Sequence, residues 1–153
     1  MSYILIPIKD SWEGNSEFAD QPNCQEILSA TLDFYKVIGY RLPWVGYFVK
    51  RDDALVGGGG FKGQPINNRI EIAYHTFPEY QNQGIGKMIC EELVKLALAT
   101  QPGVIITART LPEHSYSTKI LVHNSFECMG IVYDADDGNV WEWEYRKAKS
   151  QLL

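Results

Sequence analysis

A chain of 153 residues with 45% hydrophobic and 22% charged residues has the length of one domain around one core, without repeats or low-complexity tracts. Its net charge of −5 argues against a general nucleic-acid binder, which needs basic clusters to displace phosphate counterions, and no apolar run reaches membrane-spanning length. The opening MSYILIPI is too short for a signal segment and lacks its basic flank, so a single domain over 1–153 in the cytoplasm is expected, with no membrane partner. Cys24, Cys90 and Cys128 are odd in number, far apart and form no C-x-x-C, which predicts free thiols. His75, His114 and His123 have no partner at metal-ligand spacing, so no metal is expected.

In chain order, the β-branched run over 2–8 predicts a first strand, ended by the polar segment Lys9 to Asn15. A turn or short helix is expected around Trp12 to Phe18. From Asn23 to Tyr40, Ile27, Leu28, Leu32, Phe34, Tyr35 and Ile38 recur at helical spacing, and Gly39 punctuates the end. WVGYFVK and ALVGGGGF, joined by Arg51-Asp52-Asp53, read as a hairpin. Gly57 to Gly60 lie inside a strand pattern and lead into no helix, so they read as a bulged or closely approached strand rather than a phosphate cradle.

RIEIAYHTF follows as a strand, with Glu71 in an otherwise apolar stretch. A helix from Gly84 to about Thr100 places Ile85, Met88, Ile89, Leu93, Leu96 and Ala97 on one face, and Pro102-Gly103 stops it. VIITAR reads as a buried strand, and a shorter helix is predicted over 115–125, capped by His114 or Ser115. CMGIVYD and VWEWEYR then form two final strands about the turn Asp136 to Asn139. The fold class is α/β (α+β): one mixed, mostly antiparallel sheet of six to seven strands with three to four helices.

The stretch from Arg69 to Thr100 organises the rest. Gly84 and Gly86 sit where a polar loop turns into a helix, so free backbone N–H groups converge there and make an anion site. A dinucleotide fingerprint fails because Ile89 occupies the third glycine position. A Walker A loop fails on spacing and lacks Ser or Thr after Lys87. The remaining form, Gln81-x-x-Gly84-x-Gly86 between strand and helix, resembles the acetyl-CoA pyrophosphate loop of the GNAT superfamily of N-acetyltransferases. Downstream, ITARTLPEHSYSTKILVHNSF is similar to the second half of the cofactor site in the branch that contains the ribosomal-protein N-acetyltransferases. The sequence departs from the family pattern at His114, where Asn is usual, and at Ser125, where a turn glycine is usual. Leu121 stands where many members carry a tyrosine acid.

The resemblance implies acetyl transfer from acetyl-CoA to a primary amine of a small molecule, peptide or protein. It implies pyrophosphate binding by the N–H groups of Gln83, Gly84, Ile85, Gly86 and Lys87, with a donor from the Gln81 side chain. It further implies a strand end that splays after a bulge at Thr76 and Phe77 to pair with the pantetheine arm, a backbone N–H near Tyr74 to Thr76 as oxyanion donor, and contacts from His114 and Ser117. Acetylating an amine requires a base, because a group with pKa about 10 is protonated at neutral pH and freeing it costs roughly 4 kcal/mol. Glu71, expected to have a raised pKa in a partly buried cleft, is the leading base. Tyr74, His75 and His114 stand behind it. Tyr116 stands with Ser117 as a candidate to hydrogen-bond the cofactor's sulfur or arm, and Trp12 is assigned no role. A CoA-binding regulatory or scaffold protein is the rival reading and a nucleotide-phosphate binder the third; the acceptor's identity and a homodimer stay open.

Overall fold

The computed structural model describes residues 2–146. Its strands are β1 (Tyr3–Pro7), β2 (Gly46–Arg51), β3 (Ala54–Phe61), β4 (Arg69–Thr76), β5 (Ile105–Thr110), β6 (Phe126–Asp134) and β7 (Gly138–Tyr145). They form one sheet in the order β1-β2-β3-β4-β5-β7-β6. Only the β4–β5 pairing is parallel; the remaining neighbours run antiparallel, so the mixed seven-stranded α+β class holds. The helices are α1 (Gln25–Ile38), α2 (Ile85–Thr100) and α3 (Tyr116–His123), with 3-10 turns at Glu13–Phe18 and Pro78–Tyr80.

The glycine run lies wholly inside β3, as its strand pattern predicts. It lets both faces of the sheet be approached closely. A Cβ at Gly57 or Gly59 would meet Ile89 or Leu93 of α2 at 3.1 Å, whereas one at Gly46, paired with Gly60, would meet Thr31 and Tyr35 of α1. Because side chains alternate along a strand, α1 and α2 therefore lie on opposite faces. The Tyr35 hydroxyl donates to the carbonyl of Ile8 at 2.8 Å and accepts from the Gly46 N–H at 2.9 Å, which ties α1 to the first hairpin.

On α2 the buried stripe is wider than the predicted one. Cys90 and Val94 join Ile85, Ile89, Leu93 and Ala97, while Met88 and Leu96 sit at the margin. The helix packs on β3 and β4 and also on α3, so more than one strip of its surface is covered. Ile89 and Leu93 have no exposed surface, and burial of each contributes about 1.5–3 kcal/mol.

At the start of α3, Ser115 and Thr118 form a reciprocal capping box. Its end is less comfortable. Ser125 holds φ +68 just before β6, in the left-handed region where a side chain is unfavourable. Ser125→Gly is expected to raise stability by about 1 kcal/mol, read as a higher denaturant midpoint at unchanged m-value.

Candidate active site

The site begins where the sheet comes apart. β4 and β5 pair only from Arg69 to Glu71 against Ile105 to Thr107. Beyond that point β5 continues alongside β7 through Thr110, leaving β4 without a partner on that edge among the described residues. The Lys62 N–H donates to the Glu71 carbonyl and the Phe77 N–H to the Val56 carbonyl, both 2.9 Å and both on the β3 side. Backbone groups alternate sides along a strand, so those of Tyr74 and Thr76 face the gap. The gap is a cleft of about 310 Å³ lined by Ile72, Ala73, Tyr74, Arg109, Thr110, Glu113, Ser117 and Leu121, among others.

This corrects two details of the sequence reading. The seam opens directly after Glu71, and β4 keeps an uninterrupted register with β3, so no bulge produces it. Phe77 is not available to a ligand: its ring is buried against Phe48 and His75, its N–H is taken by Val56 and its carbonyl accepts from Tyr80. Alternation decides the matter, since Phe77 points its backbone toward β3. Thr76, one residue earlier, turns its backbone the other way, and its carbonyl accepts from Gln81 Nε2.

At the end of β4 the turn Pro78–Tyr80 leads to Gln81, whose Nε2 reaches the Thr76 carbonyl at 3.4 Å. The N–H groups from Asn82 to Lys87 donate to no acceptor among the described residues, giving the expected run of free donors at the α2 N-terminus. Gly84 has φ +77 and nothing within 4 Å of a Cβ, so its role is conformational. Gly86 differs: a Cβ there would lie 2.6 Å from Ile120 Cδ1, so its bareness lets α2 approach α3. The Ile85 side chain is buried, and only its N–H is offered to the loop.

Arg51, absent from the sequence reading, joins this loop. Its Nη1 donates to Gln83 Oε1 at 2.9 Å, and its guanidinium lies over the Tyr80 ring at 5.7 Å. A basic residue in a hairpin turn carries no motif; only the register of β2, β3 and β4 brings it to the loop. Lys87 is exposed beside it in the first turn of α2.

Glu71 lies on the α1 side of the opening seam, but not in an apolar setting. Its Oε2 is 2.7 Å from Lys62 Nζ and its Oε1 3.8 Å from Arg109 Nε. Arg109 is itself anchored by Asp134 at 3.0 Å and Glu142 at 3.3 Å. Ser117 lines the cleft, and its carbonyl accepts from the Tyr74 hydroxyl at 3.3 Å. His114 is exposed, edge-on to Trp141 with centroids 5.3 Å apart, and does not line the cleft. Leu121 is fully buried at the cleft wall.

Two further side chains are perturbed by burial. The Tyr74 phenol is raised above its ordinary value by desolvation and then by Cys90, so it keeps its proton and serves as a donor, not a base. His75 is lowered by burial, and its Nε2 has no partner among the described residues. It borders a second cavity of about 240 Å³ on the α1 side, lined also by Ile27, Phe34, Gly46, Gly60, Lys62, Ala73 and Tyr74. Ala73 and Tyr74 border both cavities, so one cavity lies on each face of the sheet beside the opening between β4 and β5.

The sequence model of the acetyltransferase (GNAT) family matches residues 15–121. This chain belongs to the GNAT acetyltransferase family. Among curated proteins, none matches it significantly in sequence. Among solved structures it is similar to the ribosomal L7/L12 α-N-protein acetyltransferase RimL in complex with coenzyme A, with 15% identity, 94% of this chain and 93% of that chain covered, and a TM-score of 0.67. A chimera of the spermidine N-acetyltransferase SpeG from Vibrio cholerae and hSSAT superposes with TM-score 0.72 over 100% of both chains at 12% identity. The aminoglycoside acetyltransferase AAC(6')-Ib in complex with coenzyme A gives 0.70 over 98% of both chains at 14% identity.

As a GNAT member the chain is an acetyl-CoA-dependent N-acetyltransferase, and its own geometry fits that cosubstrate. Unpaired N–H groups with Arg51 and Lys87 suit a pyrophosphate, and an unpaired strand edge leading away from them suits an amide-bearing arm. No cluster of three or more His, Cys, Asp or Glu side chains capable of holding a metal occurs among the described residues. Likewise, no helix among them is long and apolar enough to cross a membrane.

His75 gives this GNAT domain a testable pH signature. Its folded pKa lies below the unfolded value of about 6.5, so the unfolded state takes up the proton first and stability falls as pH drops below about 6.5. His75→Phe is expected to flatten that part of a denaturant-midpoint profile measured from pH 7.5 to 5.

Proposed function

We propose that the enzyme acetylates a primary amine, of a small molecule or a peptide, that enters from the α1 side while acetyl-CoA enters from the α2–α3 side. The observation that carries this is the opening beside β4, where a cavity on each face of the sheet is bordered by Ala73 and Tyr74 and the α1-side one also by Lys62, the ion-pair partner of Glu71. Acetyl-CoA, when bound, supplies an activated acyl group as a thioester. Gln81, Gln83, Gly84, Ile85, Gly86 and Lys87, with Arg51, hold its pyrophosphate, and the backbone of Tyr74 and Thr76 with Ser117 orients the arm. His114 would contact it only at the rim, where it stands against Trp141.

Glu71 accepts the acceptor's proton at a carboxylate oxygen, directly or through a water. The N–H of Tyr74 or Thr76 points into the gap and supplies an oxyanion donor. Tyr74 Oη, kept protonated by burial, donates to the Ser117 carbonyl at the cleft wall and is the candidate acid for the departing thiolate, a role that Leu121 cannot fill. Cys24 and Cys90 are pushed up to about 11 and about 12 by burial, so neither offers a thiolate for a covalent acyl relay. The acceptors of these similar enzymes, a ribosomal protein, spermidine and aminoglycosides, all present amines, which supports the acceptor class. Free thiols at all three cysteines accord with a cytoplasmic setting.

The test is thiol release from acetyl-CoA against a panel of amines and N-terminal peptides, alongside thermal shift. Acetyl-CoA alone must raise Tm, and at least one amine must accelerate release. The second reading, a CoA-binding regulatory protein, is favoured by one observation: Glu71 is held between Lys62 and Arg109. A Tm rise without release by any amine selects that reading.

A further inference from the structure

Lys62 carries a primary amine that is already where an acceptor amine belongs. It follows β3 in the loop 62–68, and its Nζ sits 2.7 Å from Oε2 of Glu71, the carboxylate assigned above to proton removal. The side chain is half-exposed, on a flexible four-carbon stem, and borders the α1-side cavity. That cavity and the proposed cofactor cleft share Ala73 and Tyr74 as lining residues, so only the thickness of β4 at those two residues stands between Lys62 and the cleft proposed for the acyl group. Among the described residues the other lysines with ion-pair partners, Lys36 with Asp33 and Lys95 with Glu91 and Glu92, lie on outer helix surfaces and border neither cavity.

From this juxtaposition, and resting on the active-site assignment above, we infer that the enzyme acetylates its own Lys62. In that step Glu71 takes a proton from the ammonium and the freed Nζ lone pair attacks the acetyl carbonyl. An N–C amide bond forms, the C–S bond of acetyl-CoA breaks, and the sulfur leaves as thiolate and recovers a proton. The sum is lysine ammonium plus acetyl-CoA giving acetyl-lysine, CoA thiol and one proton. No other reagent is needed. Acetylation removes the charge that Lys62 places on Glu71, so the modified chain presents an unoccupied Glu71 oxygen to an external amine. Lys62 is thus both a first acceptor and a plug that its own modification withdraws.

Purified full-length protein incubated with acetyl-CoA, with no added amine, tests this by intact mass and peptide mapping. Acetyl groups are expected at Lys62 at least tenfold faster than at Lys36 or Lys95, at a per-molecule rate independent of protein concentration. Glu71→Gln should bring Lys62 down to the rate of those surface lysines, and heat-denatured protein should show no preference. Lys62→Arg, a surface change, should lose the fast site while keeping the acetyl-CoA thermal shift. Pre-acetylated protein should turn over an external amine at least twofold faster than unmodified protein. If external amines are acetylated while Lys62 stays at the surface-lysine rate, self-acetylation is wrong and the amine-transfer reading stands. If neither Lys62 nor any amine is acetylated although acetyl-CoA raises Tm, both are wrong and the CoA-binding reading prevails.

Discussion

Glu71→Gln is expected to lower kcat for amine acetylation about 10²- to 10³-fold while leaving the acetyl-CoA-induced rise in Tm unchanged. Glutamine keeps the shape of the side chain and an oxygen for Lys62, but cannot accept the acceptor's proton at working pH. Arg109 does not lose its place, because Asp134 and Glu142 hold it independently at 3.0 and 3.3 Å. The loss should therefore fall on turnover rather than on folding or cofactor affinity. Steady-state thiol release and thermal shift on the same preparation check it. A kcat within twofold of the parent would move the base to His75, whose buried Nε2 has no partner among the described residues.

The second large effect concerns the loop. Gly84→Val is expected to raise the acetyl-CoA KM by about tenfold or more, with a smaller change in kcat. The residue has φ +77, and a β-branched side chain there costs on the order of 1–3 kcal/mol, which the loop relieves by rotating its free N–H groups away from their common focus. Gly84→Asn supplies the control. Nothing lies within 4 Å of the added Cβ and Asn tolerates the left-handed region, so KM should stay within about threefold. Titration of Tm against acetyl-CoA measures both variants without relying on turnover.

Local patterns carried most of the fold. The helical spacing from Ile27 to Ile38, the β-branched run of β4 and the switch to a glycine loop all report on neighbours in sequence, and the elements lie within a few residues of their expected bounds. The anion loop was legible for the same reason, since free N–H groups follow from where α2 starts. What could not be read depended on register. Phe77 looked like part of the cofactor edge, yet alternation turns its backbone to β3. Arg51 reaches Gln83 across 32 positions of chain, and Lys62 reaches Glu71 across a loop with no motif. The setting of Glu71 was missed because its apolar sequence neighbours, Ile70 and Ile72, point to the opposite face. Ser125 shows the converse: an unusual residue at a turn was visible as a departure, and the structure gives its reason in the sign of φ.

The seam between β4 and β5 also separates two kinds of heritable change. Under the proposed assignment, donor contacts fall on the 81–87 loop and α3, and acceptor contacts on α1 and Lys62, which border the cavity on the other face. Substitutions at Ile27, Thr31 or Phe34 can reshape acceptor choice without disturbing the free N–H groups that hold acetyl-CoA. Among the described residues Ala73 and Tyr74 alone border both cavities, so under that assignment they are the narrow stretch where a new specificity and an old chemistry must be satisfied by the same atoms.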